Sequence, residues 1–137
     1  MATNSGYSGT PLAKKLSIKN GFIVSLVNAP DHYFELFDDM PPDVVFNSDA
    51  DIPKDMIHLF VKEVNTFIAL LPQLRQQIKP NGIIWVSWPK KSSKVPTDIT
   101  EDTIRNFAIS IDLVDIKVCA VDEVWSGLKL VIPVKLR

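Results

Sequence analysis

The sequence predicts a three-layer α/β fold, a mainly parallel β-sheet flanked by helices and finished by a C-terminal antiparallel hairpin. Three observations carry this. Compact apolar runs rich in β-residues, Phe22–Val27 and Met56–Val61 among them, read as strands buried on both faces. Helical patterns separate such runs, and strands alternating with helices imply right-handed crossovers between parallel strands. The last two segments, "LVDIKVCAV" and "GLKLVIPVKL", alternate like partners in a hairpin, joined through "DEVWS".

The elements follow in order. Residues 1–10, rich in Ser, Gly and Thr, are expected to form a flexible tail, leaving 11–137 as a single α/β domain. "TPLAKKLSI" suits a short helix with Thr10 as N-cap, Pro11 at the first position and Leu12 and Leu16 on one face. Asn20-Gly21 is placed to stop it. After the first strand, "NAPDHYFELF" suits a short helix capped by Asn28 or Asp31 and carrying Phe34 and Phe37. Asp43–Phe46 reads as a second strand and Met56–Val61 as a third. Val64, Phe67, Ile68, Leu71, Leu74 and Ile78 recur at helical spacing, with Pro72 predicting a kink or two abutting helices. "KPNG" ends that segment and "IIWVSW" is the fourth strand. Thr100, followed by Glu101 and Asp102, opens a helix through about Ser110. Pro133 predicts a free edge or a bulge near the end of the last strand.

Composition narrows the function classes. At 137 residues, 46% hydrophobic and net charge −1, this is an ordinary globular chain whose total charge favours neither nucleic acid nor an anionic membrane. No segment approaches the ~20 apolar residues of a membrane span, and the polar start lacks a signal-peptide pattern, so a cytoplasmic location is expected. The lone Cys119 sits in a strand pattern and reads as packing. Charge is nonetheless uneven: eight acids and one lysine lie between Asp31 and Asp55, whereas 71–94 holds five basic residues and no acid.

The stretch "KDMIHLFVKEVNTFIALLPQLRQQIKPNGIIWVSW", residues 54–88, resembles the methyltransferase-like branch of Rossmann folds, the likeness covering 55–88. In that branch a parallel sheet ends in an antiparallel hairpin, and "IKPNG" stands where such enzymes have "LKPGG". "SWPKKSSKVPTDITED" with "VDIKVCAVDEVWSGLKLV" is similar to a bacterial family classed as a domain of unknown function, which brings no established activity. The first resemblance implies S-adenosylmethionine held on a glycine-rich turn after the first strand, where missing side chains let backbone amides approach. Here that stretch is "SLVNAPDHYFELF", without glycine, and Pro30 has no N–H to donate. The short interval between the second and third strands also leaves no room for the usual helix and strand, so the fold is expected to be truncated.

In an open parallel sheet, ligands bind beyond the carboxyl ends of the strands where strand order reverses. With the first and third strands adjacent, that rim carries Asn28, Asp31, His32, Lys62, Glu63 and the loop from Trp88. Lys90, Lys91 and Lys94, with Ser92 and Ser93, suit a phosphate or carboxylate, with Trp88 as a wall and the helix after Thr100 adding amides. Trp125, placed in the hairpin turn, either folds back as packing or anchors a partner, and Asp122 and Glu123 are in reach of the loop lysines. His32 with Asp31 and Glu35 is a titratable cluster, while His58 alternates with Met56 and Phe60 and reads as a satisfied core histidine. Two readings follow. One is a non-catalytic module binding a small anionic ligand or a protein partner at this rim, with no cofactor, nucleic acid or membrane. The other is a divergent S-adenosylmethionine-dependent or related transferase. The oligomeric state is not legible, although an exposed last strand would be able to pair with another copy.

Overall fold

The computed structural model describes residues 10–137, so the expected tail lies, but for Thr10, outside the described residues. The strands are β1 (Ile23–Val27), β2 (Val45–Phe46), β3 (Lys54–Phe60), β4 (Ile78–Pro89), β5 (Val114–Ala120) and β6 (Trp125–Val131). They form one sheet in the order β2-β1-β3-β4-β6-β5. β2, β1, β3 and β4 are mutually parallel, and β6 runs antiparallel between β4 and β5. The helices are α1 (Leu12–Lys15), α2 (Val64–Arg75) and α3 (Glu101–Ser110).

Alternation along the strands divides the core into two layers. Ile57 and Leu59 of β3, Ile84 and Val86 of β4 and Leu128 and Leu130 of β6 face α2 and α3. Met56, Phe60, Ile83 and Trp85 face the other way, onto α1 and the segment around Tyr33. The expected three-layer, Rossmann-like architecture is therefore present, with the short β2 region expected of a truncated sheet.

Several local expectations are corrected. Thr10 does not cap α1; the N-cap is Pro11, without a side-chain bond. The carboxylate of Asp39 does this work instead, accepting from Ala13 N (3.0 Å) and Lys14 N (3.1 Å). Nor does Asn20-Gly21 end the helix. Ser17 takes the left-handed conformation (φ 64°), with Ile18 N donating to Ala13 O and Ser17 N to Lys14 O. Gly21 (φ 83°) serves the turn just before β1.

The segment after β1 is a single 3₁₀ turn, Tyr33–Leu36, capped by neither Asn28 nor Asp31. Pro30 and Pro41-Pro42 bracket it and deny an α-helix the length to propagate. Its buried residue is Tyr33, whereas Phe34 is largely exposed. α2 is one helix across Pro72, and the carbonyl that loses its partner belongs to Ile68, on the exposed side. Ile78 belongs to β4 rather than α2, and "KPNG" lies inside β4 as an irregularity opposite Lys54–Met56. A Cβ on Gly82 would lie 2.8 Å from Ile78 Cβ and 3.0 Å from Lys54 O, so close backbone approach requires glycine there.

Trp125 begins β6 rather than occupying the turn. The last strand is not an edge: β6 has neighbours on both sides, and β5 is the outer strand. Pro133 follows β6 and opens the 3₁₀ turn Val134–Leu136, where no ladder bond is lost. Thr100 caps α3 as expected, accepting from Thr103 N at 3.2 Å.

Candidate functional site

Strand order reverses between β1 and β3, and the carboxyl ends of β1, β3 and β4 open onto one rim. Two clefts and a connecting hollow lie along it. The first, about 360 Å³, is bounded by Asn28 and Pro30 after β1, by Phe60, Lys62 and Glu63 at the end of β3, and by Trp125. The second, about 450 Å³, lies between Trp88, Lys90 and Lys91 on one side and Asp98, Ile99 and Glu101 on the other. A hollow shares Lys62 and Glu63 with the first cleft and Thr97 and Asp98 with the second.

Local chemistry builds the first cleft. Asn28 is left-handed (φ 58°), turning the chain off β1 without a glycine. Trp125 is 8% exposed and meets Phe60 edge-to-face at 5.0 Å, forming an aromatic wall. Its position is set by Asp122, whose Oδ1 accepts from Val124 N (2.8 Å) and Trp125 N (2.7 Å). The other carboxylate oxygen lies 3.3 Å from His32 Nε2, tying the loop after β1 to the hairpin. Asp122 thus pairs with His32, not with the loop lysines.

The second cleft is held by backbone ties. Lys90 N donates to Val124 O (2.8 Å), joining β4 to the hairpin turn. Thr97 Oγ1 donates to Lys62 O (2.6 Å), and Asp98 Oδ1 accepts from Val64 N (2.8 Å) at the start of α2. Asp98 therefore fills the anion-favouring end of α2 with a carboxylate of the chain itself. The start of α3 is no open anion cradle either. It carries Glu101 and Asp102, both bonded to Arg105, which also binds Asp115 (3.0 Å). The hydrogen bonds that the guanidinium donates to Asp115 and then to Glu101 push its pKa further up. Glu101 and Asp102 thus place negative charge at the start of α3, where amides for an anion were expected, and Lys90 and Lys91 share the cleft with Asp98 and Glu101.

Of the eight candidate residues, Asn28 and Trp125 line the first cleft, and Trp88, Lys90 and Lys91 the second. Asp31, His32 and Lys94 line none of these three depressions, and Lys94 is an exposed left-handed residue ending the turn Lys91–Ser93. The rim residues Asp98, Glu101 and Thr66 escaped sequence reasoning. Asp98 had a signal, since Thr97-Asp98 ends the lysine loop just before a helix.

Beneath the rim, His58 is buried and satisfied on both nitrogens: Nδ1 lies 3.0 Å from Tyr33 Oη and Nε2 2.8 Å from Ser87 Oγ. Burial pushes its pKa down to about 3 and that of Tyr33 up, so both are neutral near pH 7. This is the core histidine the pattern predicted. Burial likewise raises the Cys119 thiol, opposed by Lys15 and Lys117, as for a packing cysteine rather than an activated nucleophile. Among the described residues, no helix is long and apolar enough to cross a membrane.

No protein-family model matches the sequence, and no curated protein matches it. Solved structures do. A protein described as a type 11 methyltransferase from Sulfolobus solfataricus superposes with TM-score 0.59 at 16% identity, covering 88% of this chain and 89% of that one. Magnesium protoporphyrin IX methyltransferase from Synechocystis PCC 6803, with bound SAM, gives 0.58 at 9% identity, covering 89% and 74%. The ribosomal protein L11 methylase of Lactobacillus delbrueckii subsp. bulgaricus gives 0.56 at 12% identity, covering 85% and 72%. At these identities the likeness shows the fold: the chain has a methyltransferase-like Rossmann architecture.

Proposed function

We propose that the chain is a ligand-binding domain whose site is the rim between Asn28 and Glu101. The observation that carries this is the pair of open clefts at the carboxyl ends of β1, β3 and β4, beside the β1–β3 reversal. Trp125 and Trp88 offer apolar walls, and Lys90 and Lys91 an anionic-group contact opposite Asp98 and Glu101. A small ligand with an anionic group, hydrogen-bond donors and a flat apolar part fits that lining. Binding without catalysis is the reading we favour. The turn after β1 lacks glycine, Pro30 supplies no donor, and Asp98 already occupies the start of α2.

A second reading, divergent S-adenosylmethionine-dependent methyl transfer in a cytoplasmic protein, is favoured by the fold likeness, which includes a methyltransferase with bound SAM. Isothermal titration calorimetry separates the two. S-adenosylmethionine, S-adenosylhomocysteine, ATP and inorganic phosphate are titrated separately into wild type and a Trp125→Ala variant. Saturable heat only from the two adenosyl-sulfur compounds, lost in the variant, supports the transferase. Saturable heat from ATP or phosphate, weakened by Lys90→Ala with Lys91→Ala, supports the binding module. Silence from all four removes both readings of the rim in this ligand class.

A further inference from the structure

Away from the rim, the β2 end of the sheet carries an uncovered apolar patch. Phe34 is 54% exposed, Val45 51% and Phe46 37%, and the two rings meet edge-to-face at 5.0 Å. Among the described residues β2 is the outermost strand, so one side of its backbone faces no other described strand. Clustered apolar side chains beside an unpaired strand edge are the kind of surface that pairs with a partner.

The segment that carries this patch has charge of one sign. From Asp31 to Asp51 the chain carries seven acidic residues and no Lys or Arg. Among the described residues, none of these seven forms an ion pair with a lysine or arginine. Glu35 directly follows Phe34, and Asp38, Asp43, Asp49 and Asp51 are all exposed. The next lysine along the chain, Lys54, is buried, its ammonium donating to the carbonyls of Asp49 and Ile52.

We propose that this edge docks a basic, extended segment of a partner protein in which Lys or Arg alternates with apolar side chains. Such a segment lays its apolar side chains over Phe34 and Phe46, brings its cations to the surrounding carboxylates, and runs along the free side of β2. The same carboxylates repel the phosphates of nucleic acids and anionic lipids. This surface is separate from the rim clefts and does not depend on what they bind.

The test is fluorescence anisotropy of a short labelled peptide alternating lysine and valine, titrated with the full chain at physiological salt. A lysine–glycine peptide of equal charge and a glutamate–valine peptide are the controls. The lysine–valine peptide is expected to bind saturably and best. Its affinity should fall at least about tenfold with Phe34→Ser plus Phe46→Ser, and similarly with Glu35→Lys plus Asp38→Lys, both variants melting near wild type. Equal binding of the lysine–glycine peptide, no binding of any peptide, or undiminished binding by the phenylalanine variant would overturn the proposal. Sedimentation equilibrium of the chain alone completes it: self-association abolished by the phenylalanine substitutions would assign the edge to a second copy and overturn the basic partner.

Discussion

The two faces of the sheet solve the same burial problem differently. On one face, α2 and α3 satisfy most of their backbone internally and present apolar stripes, and the buried layer there is dominated by apolar side chains: Phe67, Leu71 and Ile104 against Leu59, Ile84 and Leu130. On the other, a four-residue helix and a 3₁₀ turn do the covering, and the packing is threaded with polar bonds. Tyr33, His58 and Ser87 form a buried chain; Trp85 Nε1 donates to Leu16 O (2.9 Å); Asp39 binds the start of α1. Irregular backbone cannot satisfy itself, so its anchors must be side chains with donors and acceptors. Van der Waals packing therefore dominates one face, and hydrogen-bond satisfaction limits the other.

That difference sets distinct mutational signatures. Phe67→Ala, on the helical face, should cost about 3–5 kcal/mol through the cavity it leaves, read by urea denaturation. A loss under about 1 kcal/mol would mean that this face is loosely packed. On the polar face, Tyr33→Phe deletes one hydroxyl and no volume, yet should cost about 1–3 kcal/mol because His58 Nδ1 is left buried and unpaired. An unchanged midpoint would show that the chain of bonds adds nothing.

The same face should also be the acid-sensitive one. His58 has a folded pKa near 3, below its unfolded value of about 6.5, so below that pH the unfolded state binds the proton and the folded state does not. Its contribution is complete above pH 6.5 and declines as pH falls toward 3. Between pH 6.5 and 5 wild type should lose about 1.5 kcal/mol more than His58→Gln. Parallel pH profiles for the two proteins would contradict a neutral buried histidine. The smallest effect is expected at α1: Asp39→Ala frees two N–H groups and should cost about 1 kcal/mol, with faster amide exchange at Ala13 and Lys14.

The helical face was the more legible one in the sequence, because it is built from local periodic signals. The α2 stripe and the Thr100 cap lie within a few residues of what they stabilise. The other face is made by distant residues. Asp39 serves a helix more than twenty residues earlier, and Tyr33 is buried because of His58, neither of which leaves a periodic trace. Phe34 was expected on a short helix with Phe37 and is exposed on a four-residue 3₁₀ turn, which buries a different side chain from an α-helix. The rim was legible in outline, since strand ends fix where loops open. Its division into two clefts depends on Asp98 and Asp122, whose bonds reach other elements.

The three tryptophans provide the most direct test of the rim. Trp88 and Trp125 line the two clefts, whereas the Trp85 indole is buried and bonded to Leu16 O, making it an internal control. The measurement is a two-dimensional NMR titration following the three indole N–H signals with S-adenosylmethionine, S-adenosylhomocysteine, ATP and phosphate added in turn. A functional rim predicts saturable movement of the Trp88 or Trp125 signal, with neighbouring amides at 28–32 and 87–94, while the Trp85 signal stays fixed. Movement of all three together, or of none with any of the four compounds, would contradict it.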